Sequence, residues 1–210
     1  MNIGIIGAGN LGSGLGNLWA KKGHKIIFSY SRNPEKLEAL VRSVPNSSSG
    51  TVEDAARQSE VILLSVKWQN VEDAIRAAGP MSGKILIDCT NPLLPDLSGL
   101  EIGHNTSAAE EIAKMLSCAK VVKAFNTIFA DVYHSDSRLF GLRRPAMFFC
   151  GDNAEAKAVV FNLINELGLD PVDAGPLKSA RYLEPLAMLM IQLGYSQGMG
   201  TNIAMSLIRR

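Results

Sequence analysis

The stretch Gly7-Ala8-Gly9-Asn10-Leu11-Gly12 has the spacing G-x-G-x-x-G, follows the apolar run "NIGII" and opens a helical pattern. In that setting each glycine has a task. Gly7 can make the tight turn, Gly9 lets backbone approach a pyrophosphate, and Gly12 lets the helix pack on the strand while its first amides face the phosphates. The chemistry expected is dinucleotide binding. Gly14 and Gly16 each cost the helix about 1 kcal/mol relative to alanine, and close packing, not chemistry, is the expected reason. Where NAD-binding versions carry an acid for the adenosine ribose, about twenty residues past the glycines, the chain reads Tyr30-Ser31-Arg32-Asn33-Pro34-Glu35-Lys36. A carboxylate there would repel a 2′-phosphate. Arg32 can grip one with its planar fork, Ser31 adds a hydroxyl, Asn33 can supply further donors, and Lys36 lies one helical turn on as a point charge. NADP(H) is therefore the expected cofactor.

These residues need a frame. Short apolar runs, "NIGIIG", "HKIIFSY", "EVILLSV", "KILIDCT", "KVVKAF", "AMFFCG" and "PVDA", read as strands separated by helical patterns. Continuous apolarity in the central runs suits strands covered on both faces. The alternation calls for an α/β fold, a doubly wound, mostly parallel sheet of the Rossmann type with right-handed crossovers. Asn33-Pro34 reads as a helix cap and first turn, and "PNSSSG" as a closing loop. The longest irregular segment, Asn91 to Asn105, is expected to be functional. Residues 1–176 are read as the NADP-binding domain and 177–210 as a methionine-rich helical segment. That segment would pack on the domain's own core, a second subunit or a ligand pocket.

The whole chain narrows the function. Its 210 residues suit one α/β domain with a small appendage. A net charge of +1 gives no uniform field for nucleic acid or an anionic membrane, so a small-molecule partner is expected. Cys89, Cys118 and Cys150 are far apart and lack metal or disulfide spacing; buried reduced thiols and no metal are expected. The start of the sequence reads as neither signal nor membrane span. A soluble cytoplasmic protein, a homodimer through its apolar terminal segment, is the expectation.

The joint order of "GAGNLGSGL", "SRNPEK", "DCTNPL", "KAFNTI" and "DAGPLKSARYLEPLAMLMI" resembles the coenzyme F420:NADP oxidoreductase family over essentially the whole chain. Pieces such as "SRNP", "KAFNT" and "SAR" are also similar to the cytosolic domain of six-transmembrane metalloreductases. The resemblance implies that Gly7, Gly9, Asn10, Leu11 and Gly12 hold the pyrophosphate, and Ser31, Arg32 and Lys36 the 2′-phosphate. Ser65 and Val66 would approach a ribose, while Asn91, Ala124, Asn126 and the rest of "AFNTI" would position the nicotinamide. It implies hydride transfer to a deazaflavin (F420) or a flavin. Asn126 departs from the histidine pictured in the archaeal deazaflavin enzymes, which leaves the acceptor open.

Hydride exchange between two flat rings needs orientation and a dry pocket more than an acid or base, and no triad, carboxylate pair or histidine cluster is found. No catalytic side chain is assigned; His24, His104 and His134 read as surface or structural residues. Arg181 falls where the family places acceptor contacts, or it pairs with Glu184. Asn126 and Thr127 can bond a carboxamide or an acceptor carbonyl, or cap the following turn. Leu183, Ala187 and Met199 can line the ring surface, or be core. Two rival functions stand: an NADPH-dependent reductase of a small imine or carbonyl, and a non-catalytic NADP-sensing module.

Overall fold

The computed structural model describes residues 1–31, 33–208 and 210; Arg32 and Arg209 lie outside the described residues. Eight strands form the sheet: β1 (Asn2–Ile6), β2 (Lys25–Ser29), β3 (Ser47–Ser49), β4 (Val61–Leu64), β5 (Ile85–Asp88), β6 (Lys120–Lys123), β7 (Ala146–Gly151) and β8 (Asp170–Asp173). Their spatial order is β3-β2-β1-β4-β5-β6-β7-β8. Every neighbouring pair is parallel except β6 with β7. The chain order reverses direction between β1 and β4, which opens a crevice at the carboxyl ends of those strands.

The helices are α1 (Asn10–Lys21), α2 (Pro34–Ser43), α3 (Val52–Gln58), α4 (Val71–Ala78), α5 (Ala108–Met115), α6 (Ala130–His134), α7 (Ala154–Glu166) and α8 (Ala180–Ile191). They cover both faces. Trp19 of α1, Val132 and Tyr133 of α6 and Val160, Leu163 and Ile164 of α7 share one buried cluster with Ile3, Ile5 and Phe28. Ile75 of α4, Ile112 of α5 and Leu183 of α8 share the other with Ile6, Ile62 and Leu64. Burial on both faces is why the central strands carry no polar alternation.

Three expectations need correction. "PNSSSG" contains β3, whose Ser47–Ser49 pairs with Ile26–Phe28; an edge strand made of serines leaves no hydrophobic signature. The terminal segment is helical only through α8 and the π-type turn Gln192–Ser196. Gly198 and Gly200 then take left-handed backbone, φ 69° and 76°, which stops the helix. Further on, the Met205 carbonyl accepts from Ala146 N (2.8 Å), so the tail runs beside β7. Finally, Cys118 is exposed, whereas Cys89 and Cys150 are buried.

Candidate functional site

The crevice has two halves. In the first, the chain leaves β1 at Gly7 with φ 110°, a backbone that L side chains avoid. A Cβ on Gly12 would stand 2.1 Å from the Gly7 carbonyl oxygen and 2.6 Å from Ser65 Oγ, so the turn, α1 and the end of β4 touch through the missing side chain. Ser65 Oγ donates to the same Gly7 carbonyl (2.7 Å) and clamps the turn. At Gly9 a Cβ would meet nothing within 4 Å: the turn faces open space there. Helices α2, α3, α5 and α7 are each capped by a side chain, from Asn33, Thr51, Ser107 and Asn153. Gly9 gives α1 no such cap. Its first amides are left for an anion, with the positive end of the helix dipole behind them.

Gly7, Gly9, Ser31, Asn33, Lys36, Ser65 and Val66 all line this half, a cavity of about 280 Å³. Asn33 Oδ1 accepts from Lys36 N (3.0 Å), and Ser31 Oγ accepts from Asn33 N (3.2 Å), so the wall below β2 is built by local turns. Lys67 and Asn70 line the cavity as well. Sequence reasoning missed both, although they directly follow the Ser65-Val66 strand end. Arg32 lies outside the described residues.

The second half, about 260 Å³, opens at the ends of β5 and β6 and brings together Leu11, Asn91, Asn126, Thr127 and Ala187 with Cys89, Leu93, Phe125, Phe129 and Met190. Asn91 and Asn126 bond reciprocally: Asn126 Nδ2 donates to Asn91 Oδ1 (3.0 Å), and Asn91 Nδ2 to the Asn126 carbonyl (3.1 Å). Asn126 Nδ2 also donates to the Leu183 carbonyl (3.1 Å), an acceptor only, which fixes the amide orientation. Asn126 Oδ1 and Thr127 Oγ1 are buried with no partner among the described residues. Such groups are costly to leave unpaired, and both residues line the cavity. Phe125 holds them at φ 62°, a conformation costing on the order of 1–3 kcal/mol for a non-glycine residue. Its amide donates to Met147 Sδ (3.1 Å), and its ring meets Trp19 edge-on at 5.5 Å.

Other sequence assignments lie elsewhere. Ala124 is wholly buried in the core beneath the cavity, and Leu183 reaches the site through its carbonyl while its side chain packs in the core. Met199 is exposed beyond α8 and lines neither cavity. Arg181 is a bidentate partner of Glu110 on α5 (both 2.8 Å), not of Glu184. The reason is Glu184's place on the buried side of α8, where it meets Lys123 Nζ at 2.9 Å. His24 bonds Glu166 (2.8 Å) and His134 bonds the Asn10 carbonyl (2.7 Å); both knit elements together. Burial, reinforced by the Asp88 charge, holds the Cys89 thiol well above its ordinary range, so it is no nucleophile.

Comparison with known proteins gives this geometry a family. The model described as "NADP oxidoreductase coenzyme F420-dependent" matches residues 2–92. The F420-dependent NADP reductase of Methanocaldococcus jannaschii is 30% identical over 97% of this chain and 98% of its own length. The chain belongs to this family. Metalloreductase STEAP3 of Rattus norvegicus is 31% identical over 90% of the chain, which spans only 37% of that relative's length. The crystal structure of a candidate F420-dependent NADP reductase from Arthrobacter sp. FB24 superimposes with a TM-score of 0.88 at 28% identity, covering 99% of each chain. The fold is therefore that of the F420-dependent NADP oxidoreductases, and the chain is an NADP-dependent oxidoreductase by family. Among the described residues no helix is long and apolar enough to cross a membrane.

Proposed function

We propose that the chain binds NADP(H) along the crevice and transfers hydride between its nicotinamide and a flat, flavin-like acceptor, a deazaflavin or a flavin. The uncapped start of α1 and the open turn at Gly9 suit the pyrophosphate, and Ser31, Asn33, Lys36 and Lys67 suit the phosphorylated adenosine end. Arg32 joins them on its place in the sequence. The bound cofactor supplies the hydride. The chain orients it: Asn126 Oδ1 accepts from the carboxamide N–H, and Thr127 Oγ1 donates to the carboxamide oxygen. Leu11, Leu93, Phe129, Met190 and Ile191 form apolar walls that exclude water and accommodate a ring face.

The observation that carries this reading is that Asn126 and Thr127, two residues lining a mostly apolar cavity, each hold a buried polar atom without a partner among the described residues. An acceptor needing a positioned protein acid, such as an imine, is less well served. The titratable groups lining the cavity are Cys89, held protonated by burial, and Tyr195, which is mostly exposed. The exposed apolar side chains Tyr182, Leu189 and Tyr195 on and after α8 support a homodimer through that face. The test mixes protein and NADPH with a deazaflavin, with flavin mononucleotide and with a cyclic imine, following NADPH absorbance. Oxidation with either flavin-like acceptor and none with the imine is expected. Oxidation by the imine alone overturns the acceptor assignment, and tight NADPH binding with no oxidation by any of them favours the sensing module.

A further inference from the structure

Behind the floor of the second cavity lies a buried ionic cluster that lines neither cavity. Asp88, Lys123 and Glu184 are at most 1% exposed. Lys123 Nζ stands 2.9 Å from Asp88 Oδ2 and 2.9 Å from Glu184 Oε1, and it also donates to the Thr90 carbonyl. Glu184 accepts from the first amides of α5, Ala108 N (2.9 Å) and Ala109 N (3.2 Å). Lys123 thus meets three oxygens, and one ammonium plus a helix start face two carboxylates. Burial tends to raise the Glu184 carboxyl and to lower the Lys123 ammonium; for Lys123 the two carboxylates together outweigh burial and hold it charged.

Well-packed apolar side chains would hold these elements together as firmly, because the desolvation of buried ions offsets much of their attraction. Geometric specification is what such a cluster adds. Its contacts lead to one side chain. Asp88 Oδ1 accepts from Thr90 N (2.8 Å) while Lys123 bonds the Thr90 carbonyl, so both polar groups of that peptide segment are held just before Asn91. Glu184 fixes the turn of α8 whose Leu183 carbonyl accepts from Asn126. Asn91 and Leu183 are the two acceptors of Asn126 Nδ2. Freed from them, the amide can turn over and put N–H where the unpartnered oxygen now lies.

We propose that the Asp88–Lys123–Glu184 cluster is a positioning device that keeps Asn126 Oδ1 turned into the cavity, where it accepts from the nicotinamide carboxamide. The three residues act through Asn126 and touch no ligand. This rests on the reading of the cavity as the nicotinamide site.

The test is a double-mutant cycle in the full chain, read by NADPH fluorescence titration, with adenosine 2′,5′-bisphosphate as a probe of the other half. Glu184→Gln keeps the shape while removing the charge and turning one of the two accepting oxygens into an N–H donor. It is expected to weaken NADPH about tenfold, Asn126→Ala about tenfold, and the double variant about tenfold again instead of a hundredfold. Bisphosphate affinity is expected to stay within twofold throughout. A Glu184→Gln chain that binds NADPH normally, a hundredfold loss in the double variant, or an equal loss of the bisphosphate overturns the proposal. Asp88→Asn replaces Glu184→Gln in the cycle, with the same losses expected and the same results overturning the proposal, should Glu184→Gln fail to fold. If the unsubstituted chain binds the bisphosphate no less tightly than NADPH and Asn126→Ala changes nothing, the nicotinamide reading fails and the proposal with it. A large effect of Asn126→Ala with none from Glu184→Gln sinks the cluster's role alone.

Discussion

The two halves of the crevice are built from different materials. The half beneath β1, β2 and β4 is made of backbone: a left-handed glycine, an uncapped helix start and an open turn, edged by solvated polar side chains. The half beneath β5 and β6 is made of buried side chains: two asparagines bonded to each other, two polar atoms without partners, and an ionic cluster behind them. In the proposed reading the first half takes phosphates, which are bound by amides, and every residue except proline carries one, so that half needs only a backbone path. The second half, on the same reading, takes a carboxamide within apolar walls, which needs one acceptor and one donor of fixed direction and so side chains locked by tertiary contacts.

The comparison breaks most easily at Gly12. Gly12→Ala drives a methyl group into the Gly7 carbonyl, and overpacking of this kind costs about 1–3 kcal/mol or more. A fall in Tm with at least a hundredfold loss of both NADPH and adenosine 2′,5′-bisphosphate is expected; retained bisphosphate binding would mean that the turn is not the phosphate site. Next, Asn126→Ala is expected to weaken NADPH about tenfold while leaving the bisphosphate untouched, which titration of the two ligands side by side checks. Lys36→Ala is expected to weaken NADPH by about fivefold to tenfold and NADH by less than twofold, an effect that fades at high salt. Equal losses for the two cofactors would remove Lys36 from the 2′-phosphate site.

The smallest effect lies outside both halves. Hydrogen bonds from Arg181 hold the Glu110 carboxyl below its ordinary value of 4.5. The sign follows from the depression: the pair stabilises the fold above the unfolded value, and that contribution is lost as pH falls through the lower folded value. Both groups are partly solvated, so a loss of only a few degrees in Tm between neutral pH and about pH 3 is expected from this pair. Glu110→Gln should abolish that share of the acid shift without changing NADPH affinity at neutral pH.

The glycine spacing, the strand runs and the Asn33 cap were legible because each is a local pattern: three glycines within six positions, apolar runs of strand length, an asparagine ahead of a proline. Strand β3 was not, since a polar edge strand is defined only by the neighbour it pairs with. Arg181 was given two partners in the sequence, a ligand or Glu184 at helical spacing. Its actual partner is Glu110, seventy-one positions away in the chain. Asp88, Lys123 and Glu184 stand within quoted motifs, yet nothing in "DCTNPL", "KAFNTI" or "SARYLEP" says that their charges meet.

The order of its residues alone determined that this protein winds a doubly covered sheet, places a G-x-G-x-x-G turn after its first strand and puts Ser31-Arg32 just beyond its second. Hydrophobic periodicity and glycine stereochemistry act over a few residues, so a linear reading suffices. The orientation of the Asn126 amide was decided only by folding. That direction is set by bonds between β5, β6 and α8, between groups 35 and 57 positions apart in the chain, and it exists only once packing has brought them together.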